Sequence, residues 1–304
     1  MVLFLDESAV RDLLRWEELI PAMERALADF SRGAVLQPVR TVLTLEERQR
    51  YLGLMPAVAG DVMGLKFVSF YPVNAGTEFP THQATIVLYR TDNGQPLAVM
   101  DGRLITEMRT AAVSAAITKY LAPPRSRVLA ILGGGVQGGA HFEALRHICD
   151  FAEVRVWSRT PEHAEAFARE RGAIAVSSPE AAVRDADVVV SATAAHEPIL
   201  RGAWLKRGAH VNAVGSSQPD WRELDDEAMG NTVVVDSREA ARAEAGDVII
   251  PHARIYAEIG EIFAGTKAPT PTETTIFKSV GLAVEDIAAA RLVVDAHERR
   301  EHRS

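Results

Sequence analysis

The chain is poor in the residues that several kinds of function depend on. Cys149 is its only cysteine among 304 residues, which rules out an intrachain disulfide and a thiolate-held metal. There is no H-E-x-x-H or similar histidine spacing, so nothing in the sequence points to a metal centre. There is no G-x-S-x-G elbow for acyl chemistry. No apolar run approaches the roughly 20 residues that cross a bilayer. Asp6 and Glu7 fall too early in "MVLFLDESAV" for a secretory leader. Positive charge is in deficit, with 33 Lys and Arg against 41 Asp and Glu and a net charge of -8. That balance argues against general binding to nucleic acid or an anionic membrane. The basic "HERREHRS" at the end is short enough to be a solvated helix end. A soluble, cytoplasmic protein is expected.

The composition that remains, 47% hydrophobic and 24% charged, is that of an ordinary globular protein with room for two cores. "LDESAVRDLL" and "WEELIPAMERALADFSRG" read as helices, with Asp6 or Ser8 as a cap and Gly33 as a stop. Residues 39–99 then read as strands: "RTVLTL", "YLGLMPAV", "MGLKFVSFYP", "QATIVLYR" and "PLAVMDG". The turn "TDNGQP" between two of them signals a hairpin. "ITEMRTAAVSAAITKYL" reads as a helix of small residues ending before Pro123. From there strand and helix alternate through "RVLAILG", "EVRVWSR", "AIAVSS", "DVVVSAT", "HVNAVG" and "NTVVVDS". Such alternation is the mark of a parallel sheet wound on both faces. "TTIFKSVGLAVEDIAAARLVVDAHERR" reads as a long final helix. These patterns predict an α/β protein, with a Rossmann-type doubly wound domain over 121–279. An α+β domain over 1–120 would be completed by 280–304.

"VLAILGGGVQGGAHFEAL" carries the most chemistry. Gly133, Gly135 and Gly138 satisfy G-x-G-x-x-G directly after a strand and at the start of a helix. There a dinucleotide pyrophosphate can rest on free backbone amides. Val136 and Gln137 lie within the same loop-helix junction, and Thr193 follows a later strand of the domain. The second strand runs into Ser158, Arg159 and Thr160. NAD sites usually place a carboxylate here for the ribose 2'-hydroxyl. A guanidinium with two hydroxyls suits a 2'-phosphate instead, so NADP(H) is expected over NAD(H). In the first segment Arg40, Lys66 and Arg109 each stand in apolar company. A buried cation needs an anion, which either an internal acid or the carboxylate of a substrate would supply. His82 begins a strand and could line a cleft, or serve structure alone.

With these residues in view, the chain resembles the ornithine cyclodeaminase and mu-crystallin family, nearer to its ketimine-reducing members. The resemblance rests on "THQATIVLY", "LAVMDG", "RTAAVSA", "ILGGGVQ", "AVGSSQPDWRELDDE", "EAGDV" and "TTIFKSVGLAVED". It implies a homodimer whose first segment and last helix form the substrate and dimer domain. It also implies carboxylate contacts from Arg40, Lys66 and Arg109, and a role for Glu244 at the imine nitrogen. True cyclodeaminases carry an aspartate two residues after the glycine of the "VG" pair. Ser217 stands there in this chain, and a neutral hydroxyl does not replace a carboxylate base. The expectation is therefore NADPH-dependent reduction of a small, cyclic 2-imino carboxylate, such as pyrroline-2-carboxylate or piperideine-2-carboxylate. The alternatives are an alanine-dehydrogenase-like or iminosuccinate-reducing activity, ornithine cyclodeamination, and non-catalytic binding of a thyroid-hormone-type ligand.

Overall fold

The computed structural model describes residues 2–47, 49–215, 217–270 and 272–302. The chain divides into two units, Met1–Arg109 with Leu282–Ser304, and Thr110–Gly281. The first division falls inside the small-residue helix, whereas the sequence pattern predicts it near that helix's end.

The first unit begins with β1 (Leu3–Leu5), α1 (Glu7–Leu13), α2 (Trp16–Ser31), β2 (Val35–Leu36), β3 (Thr41–Glu46), β4 (Arg50–Ala59), β5 (Val62–Phe70), β6 (His82–Arg90) and β7 (Pro96–Asp101). Helix α3 (Arg103–Leu121) follows. Asp6 caps α1 by accepting from the Ala9 amide at 2.9 Å, while Ser8 lies inside the helix. The strands form one sheet in the order β1-β7-β6-β5-β4-β2, with β3 also on β4. Short β1 is parallel to β7 and escaped sequence reading. Alternation sets the faces. Lys66 lies opposite Met55 on β4 and Ile86 on β6, all three buried, whereas its neighbour Phe67 is exposed.

The second unit continues with β8 (Val128–Leu132), α4 (Val136–Arg146), β9 (Glu153–Trp157), α5 (Pro161–Arg171), β10 (Ile174–Ala175), α6 (Pro179–Val183), β11 (Val188–Ser191) and β12 (His210–Ala213). Then come α7 (Asp226–Met229), β13 (Thr232–Val235), α8 (Arg238–Glu244), α9 (Gly246–Ile249), β14 (Ile255–Glu258), α10 (Ile259–Phe263) and β15 (Thr275–Lys278). All eight strands are parallel, in the order β10-β9-β8-β11-β12-β15-β13-β14. This is the expected doubly wound sheet, with one correction. "TTIFK" is no part of the last helix. It is β15, a central strand between β12 and β13, and α11 (Ala283–Glu301) starts only after it and returns to the first unit. Every residue of β15 is buried, so it lacks the alternation that reveals a strand open on one side.

Two buried histidines of the second unit have both ring nitrogens hydrogen-bonded. His141 donates from Nδ1 to the Gln137 carbonyl at 2.7 Å and accepts at Nε2 from Ser114 at 2.9 Å. His210 Nε2 donates to Asn212 Oδ1 at 3.3 Å, leaving Nδ1 to accept from Thr275 at 2.8 Å. Both rings are therefore held neutral, and burial pushes each pKa down to about 4. The unfolded chain binds these protons near pH 6.5 and the folded chain does not, so stability present above pH 6.5 is lost as pH falls toward 4. Denaturant titrations should show a loss of about 2 kcal/mol per histidine between pH 7 and pH 5. His210→Gln should flatten that slope; a wild-type stability independent of pH across this window would refute the assignment.

Candidate active site

The glycine loop joins β8 to α4. Gly133 has φ +112°, and a Cβ there would strike the Ala192 carbonyl. At Gly138 a Cβ would strike the carbonyl oxygen of Gly133. Backbone packing within the protein demands both glycines. Gly135, which precedes α4 with extended backbone, differs: a Cβ there would meet no atom within 4 Å. Nothing inside the protein requires glycine at that point, but a group seated on the helix N-terminus would. No side chain among the described residues caps α4. Val136 is exposed, and Gln137 has a buried Oε1 without a hydrogen bond among the described residues. The junction fits a pyrophosphate on free amides.

Ser158, Arg159 and Thr160 link β9 to α5 beside this loop, since the Gly133 amide donates to the Trp157 carbonyl at 2.8 Å. Arg159 and Thr160 are exposed and Ser158 is half-buried. Thr193, just beyond β11, turns its hydroxyl inward to Glu223 at 2.7 Å. Ser217 lies exposed in the segment after β12, and Glu244 ends α8 half-buried. A bond from the Gly246 amide to the Gln218 carbonyl, 3.1 Å, ties these two segments together.

In the first unit the cations gather. Lys66 Nζ lies 2.6 Å from Asp286 and donates to Thr106 at 3.4 Å. Arg109 pairs through Nε with Asp286 at 2.9 Å and through Nη1 with Glu285 at 2.6 Å. All four charged side chains are buried. Asp286 thus bridges both cations, one through each oxygen. The Lys66 pKa is lowered to about 8, mostly by burial and in part by Arg109 and Arg40, against the attraction of Asp286. For Arg109 the two carboxylates outweigh burial and raise the pKa. Half-buried Arg40 precedes β3. Part-buried His82 has its pKa lowered to about 4, first by burial and then by Lys66 and Arg109; it is neutral at pH 7.

Of the expected substrate-binding residues Arg40, Lys66, His82, Arg109 and Ser217, the first four belong to the first unit, where Arg40 and Arg109 act electrostatically on Lys66, and Lys66 and Arg109 on His82; Ser217 belongs to the second unit. The internal-acid alternative for Lys66 and Arg109 is present as well. Glu285 and Asp286 went unread, although "GLAVEDIAAA" gave the same signal as Lys66, charge inside an apolar run. Glu223, Asp247 and Lys278 are buried as well and are not singled out by the sequence reading: Lys278 stands in the apolar run "TTIFKSVG", whereas Glu223 is masked by the charged neighbours of "PDWRELDDE". Among the described residues no cluster of His, Cys, Asp and Glu could hold a metal ion, and no helix is long and apolar enough to cross a membrane.

Comparison with known proteins extends over nearly the whole chain. The sequence model of the ornithine cyclodeaminase/mu-crystallin family matches residues 2–301. A mouse protein named ketimine reductase mu-crystallin is 52% identical over 302 residues, covering 96% of each chain. A solved Thermococcus litoralis Δ1-pyrroline-2-carboxylate reductase, in complex with NADH and L-proline, superposes with TM-score 0.94 at 35% identity, covering 99% of this chain and 98% of that one. An archaeal alanine dehydrogenase dimer with bound NAD gives TM-score 0.92 at 32% identity, covering 99% and 97%.

The bridge at Asp286 has a thermodynamic signature. Asp286→Asn leaves two buried cations short of an anion and should destabilise by about 3–5 kcal/mol. Adding Lys66→Met should recover part of that loss, because the two side chains share one interaction. Denaturant titration of the four proteins in the cycle measures the coupling, and strict additivity would show that the pair contributes nothing.

Proposed function

The chain belongs to the ornithine cyclodeaminase/mu-crystallin family, and we propose that it reduces the C=N bond of small, cyclic 2-imino carboxylates with NADPH. The observation that carries this reading is its full-length likeness to proteins named for ketimine and pyrroline-2-carboxylate reduction. Fold alone would not, because the same fold hosts other chemistry, and likeness to an alanine dehydrogenase keeps open-chain imines as the second reading.

The bound nicotinamide supplies a hydride. The chain's own residues do the rest. The amides opening α4 hold the pyrophosphate, with Gly135 leaving the room it needs. Arg159 pairs with the 2'-phosphate and Ser158 and Thr160 donate to it, with no carboxylate among the three to repel it. Arg40, Lys66 and Arg109 hold the substrate carboxylate, and His82, neutral at pH 7, borders it without adding charge. Hydride addition to carbon leaves an electron pair on nitrogen, and Glu244 serves the proton that nitrogen takes up. Fixed orientation lowers the barrier most, since effective molarities reach ~10^5 M and above in favourable cases. Ser217 is neutral and is not asked to act as a base. The protein works as a homodimer in this reading: β3 exposes Val42, Leu43 and Leu45, which face both sides of the strand and are better covered by a second copy than by water.

Two measurements test the reading. NADPH absorbance should fall on addition of cyclic imino acids, with Arg159→Ala raising the KM for NADPH far more than that for NADH. Equal use of both cofactors by the wild type would sink the NADPH assignment. Ornithine with the oxidised cofactor should give no appreciable proline or ammonia, since Ser217 lacks the charge that deamination needs. Robust cyclisation would overturn the choice of reaction.

A further inference from the structure

Glu223 lies between β12 and α7 and is fully buried. Its Oε1 accepts from Ser191 Oγ at 2.8 Å, from the Thr193 amide at 2.8 Å and from Thr193 Oγ1 at 2.7 Å. Its Oε2 accepts from the Gly215 amide at 2.8 Å. Ser191 closes β11, Thr193 follows it, and Gly215 follows β12. One carboxylate therefore ties together the carboxyl ends of two adjacent parallel strands. The approach is close: a Cβ on Gly215 would run into the Thr193 backbone and the Glu223 carboxylate. Glu223 is itself anchored. Asp247 accepts from the amides of Glu223 and Leu224 at 2.9 and 3.0 Å, and pairs at 3.2 Å with Lys278 at the end of β15.

Strand order says what these ends are next to. β8, β9 and β10 succeed one another toward one edge, and β11 and β12 toward the other. The switch point falls between β8 and β11, where such sheets take ligands beyond their carboxyl ends. With a pyrophosphate on α4 after β8, and the 2'-phosphate on the segment after β9, the adenosine half occupies the β9 side. The other half of a dinucleotide then extends over the ends of β11 and β12. We propose that Glu223 is a positioning residue for the nicotinamide half of the cofactor. It holds the segments after β11 and β12 as one fixed surface without touching the ligand. The inference rests on the NADPH reading above and deepens it.

The test is direct binding to the cofactor-free protein, by calorimetry, of NADPH and of 2'-phospho-ADP-ribose, which lacks the nicotinamide. Glu223→Gln keeps the size of the side chain but must turn its NH2 toward either Gly215 or the three donors at Oε1, so a buried donor loses its acceptor. It should weaken NADPH by about tenfold or more and change the affinity of 2'-phospho-ADP-ribose by less than about twofold. Thr193→Val should show the same selectivity to a smaller degree, and Thr193→Ser, which keeps the hydroxyl, should restore it. Should Glu223→Gln fail to fold, Ser191→Ala, which removes a single donor, is compared with Thr193→Val on the same two ligands. Undiminished NADPH binding by the variants, or equal weakening of both ligands, overturns the inference and leaves the NADPH reading standing. A folded wild type that binds neither ligand overturns both.

Discussion

Lys66 and Arg109 can be buried in the first unit only because α11 brings Glu285 and Asp286 to them. Arg109 and Asp286 are 177 residues apart, so the first unit lacks its counter-charges until the chain has passed through the whole second unit. An unpaired buried charge costs several kcal/mol, comparable to the net stability of a domain. The discontinuity of the first unit is thus an electrostatic requirement as much as a matter of covering a sheet. Packing enforces it from the apolar side: a Cβ on Gly64 of β5 would strike Ile287 of α11. The Ile287 side chain thus packs directly on the backbone of β5, and the acids in the first turn of α11 reach the cations beside it.

The second unit uses buried carboxylates differently, as acceptors for backbone amides where strands begin and end. Asp187 accepts from the Arg127 and Val128 amides at 2.7 and 2.9 Å. Asp236 accepts from the Val280 and Gly281 amides, each at 2.7 Å, and from Ser279 at 3.0 Å. A carboxylate only accepts and has about four lone-pair sites, so one residue can gather several amides that no ladder or helix would pair. Asp187 acts in this way at the amino edge of the sheet, and Asp236, like Glu223, at its carboxyl edge. A rigid edge is what orientation-dependent chemistry needs.

How much of this was legible depended on whether the signal was local. The glycine loop was, because strand, turn and helix follow within eighteen residues of sequence. The hairpin at "TDNGQP" was, because its turn residues dictate its geometry. β15 was not: four residues buried on both faces carry no period, and their place between β12 and β13 is decided by partners more than forty residues away. β1, with three residues, owes its existence to β7. The cations stood out as charges in apolar runs, yet their partners on α11 are set by tertiary fold alone. Glu223 and Asp247 sit in "PDWRELDDE" and "EAGDV", stretches noted for likeness, but a backbone amide as hydrogen-bond partner leaves no trace in composition.

The cluster around Asp286 bears on how the substrate anion of the proposed reaction would be received. The four buried charges sum to zero, so the cluster is complete in itself, and Arg40 adds positive charge beside it. A carboxylate entering there would share cations that are already aimed and desolvated, rather than call them out of water. The two cations are not equivalent. Glu285 and Asp286 raise the Arg109 pKa despite burial, so its charge is fixed at any working pH and its planar fork holds direction. Lys66, lowered to about 8, keeps its proton with little to spare, and an added carboxylate beside it would strengthen that hold. In the proposed reading, binding of an anion beside Lys66 and the protonation of Lys66 would be linked in sign: each would favour the other.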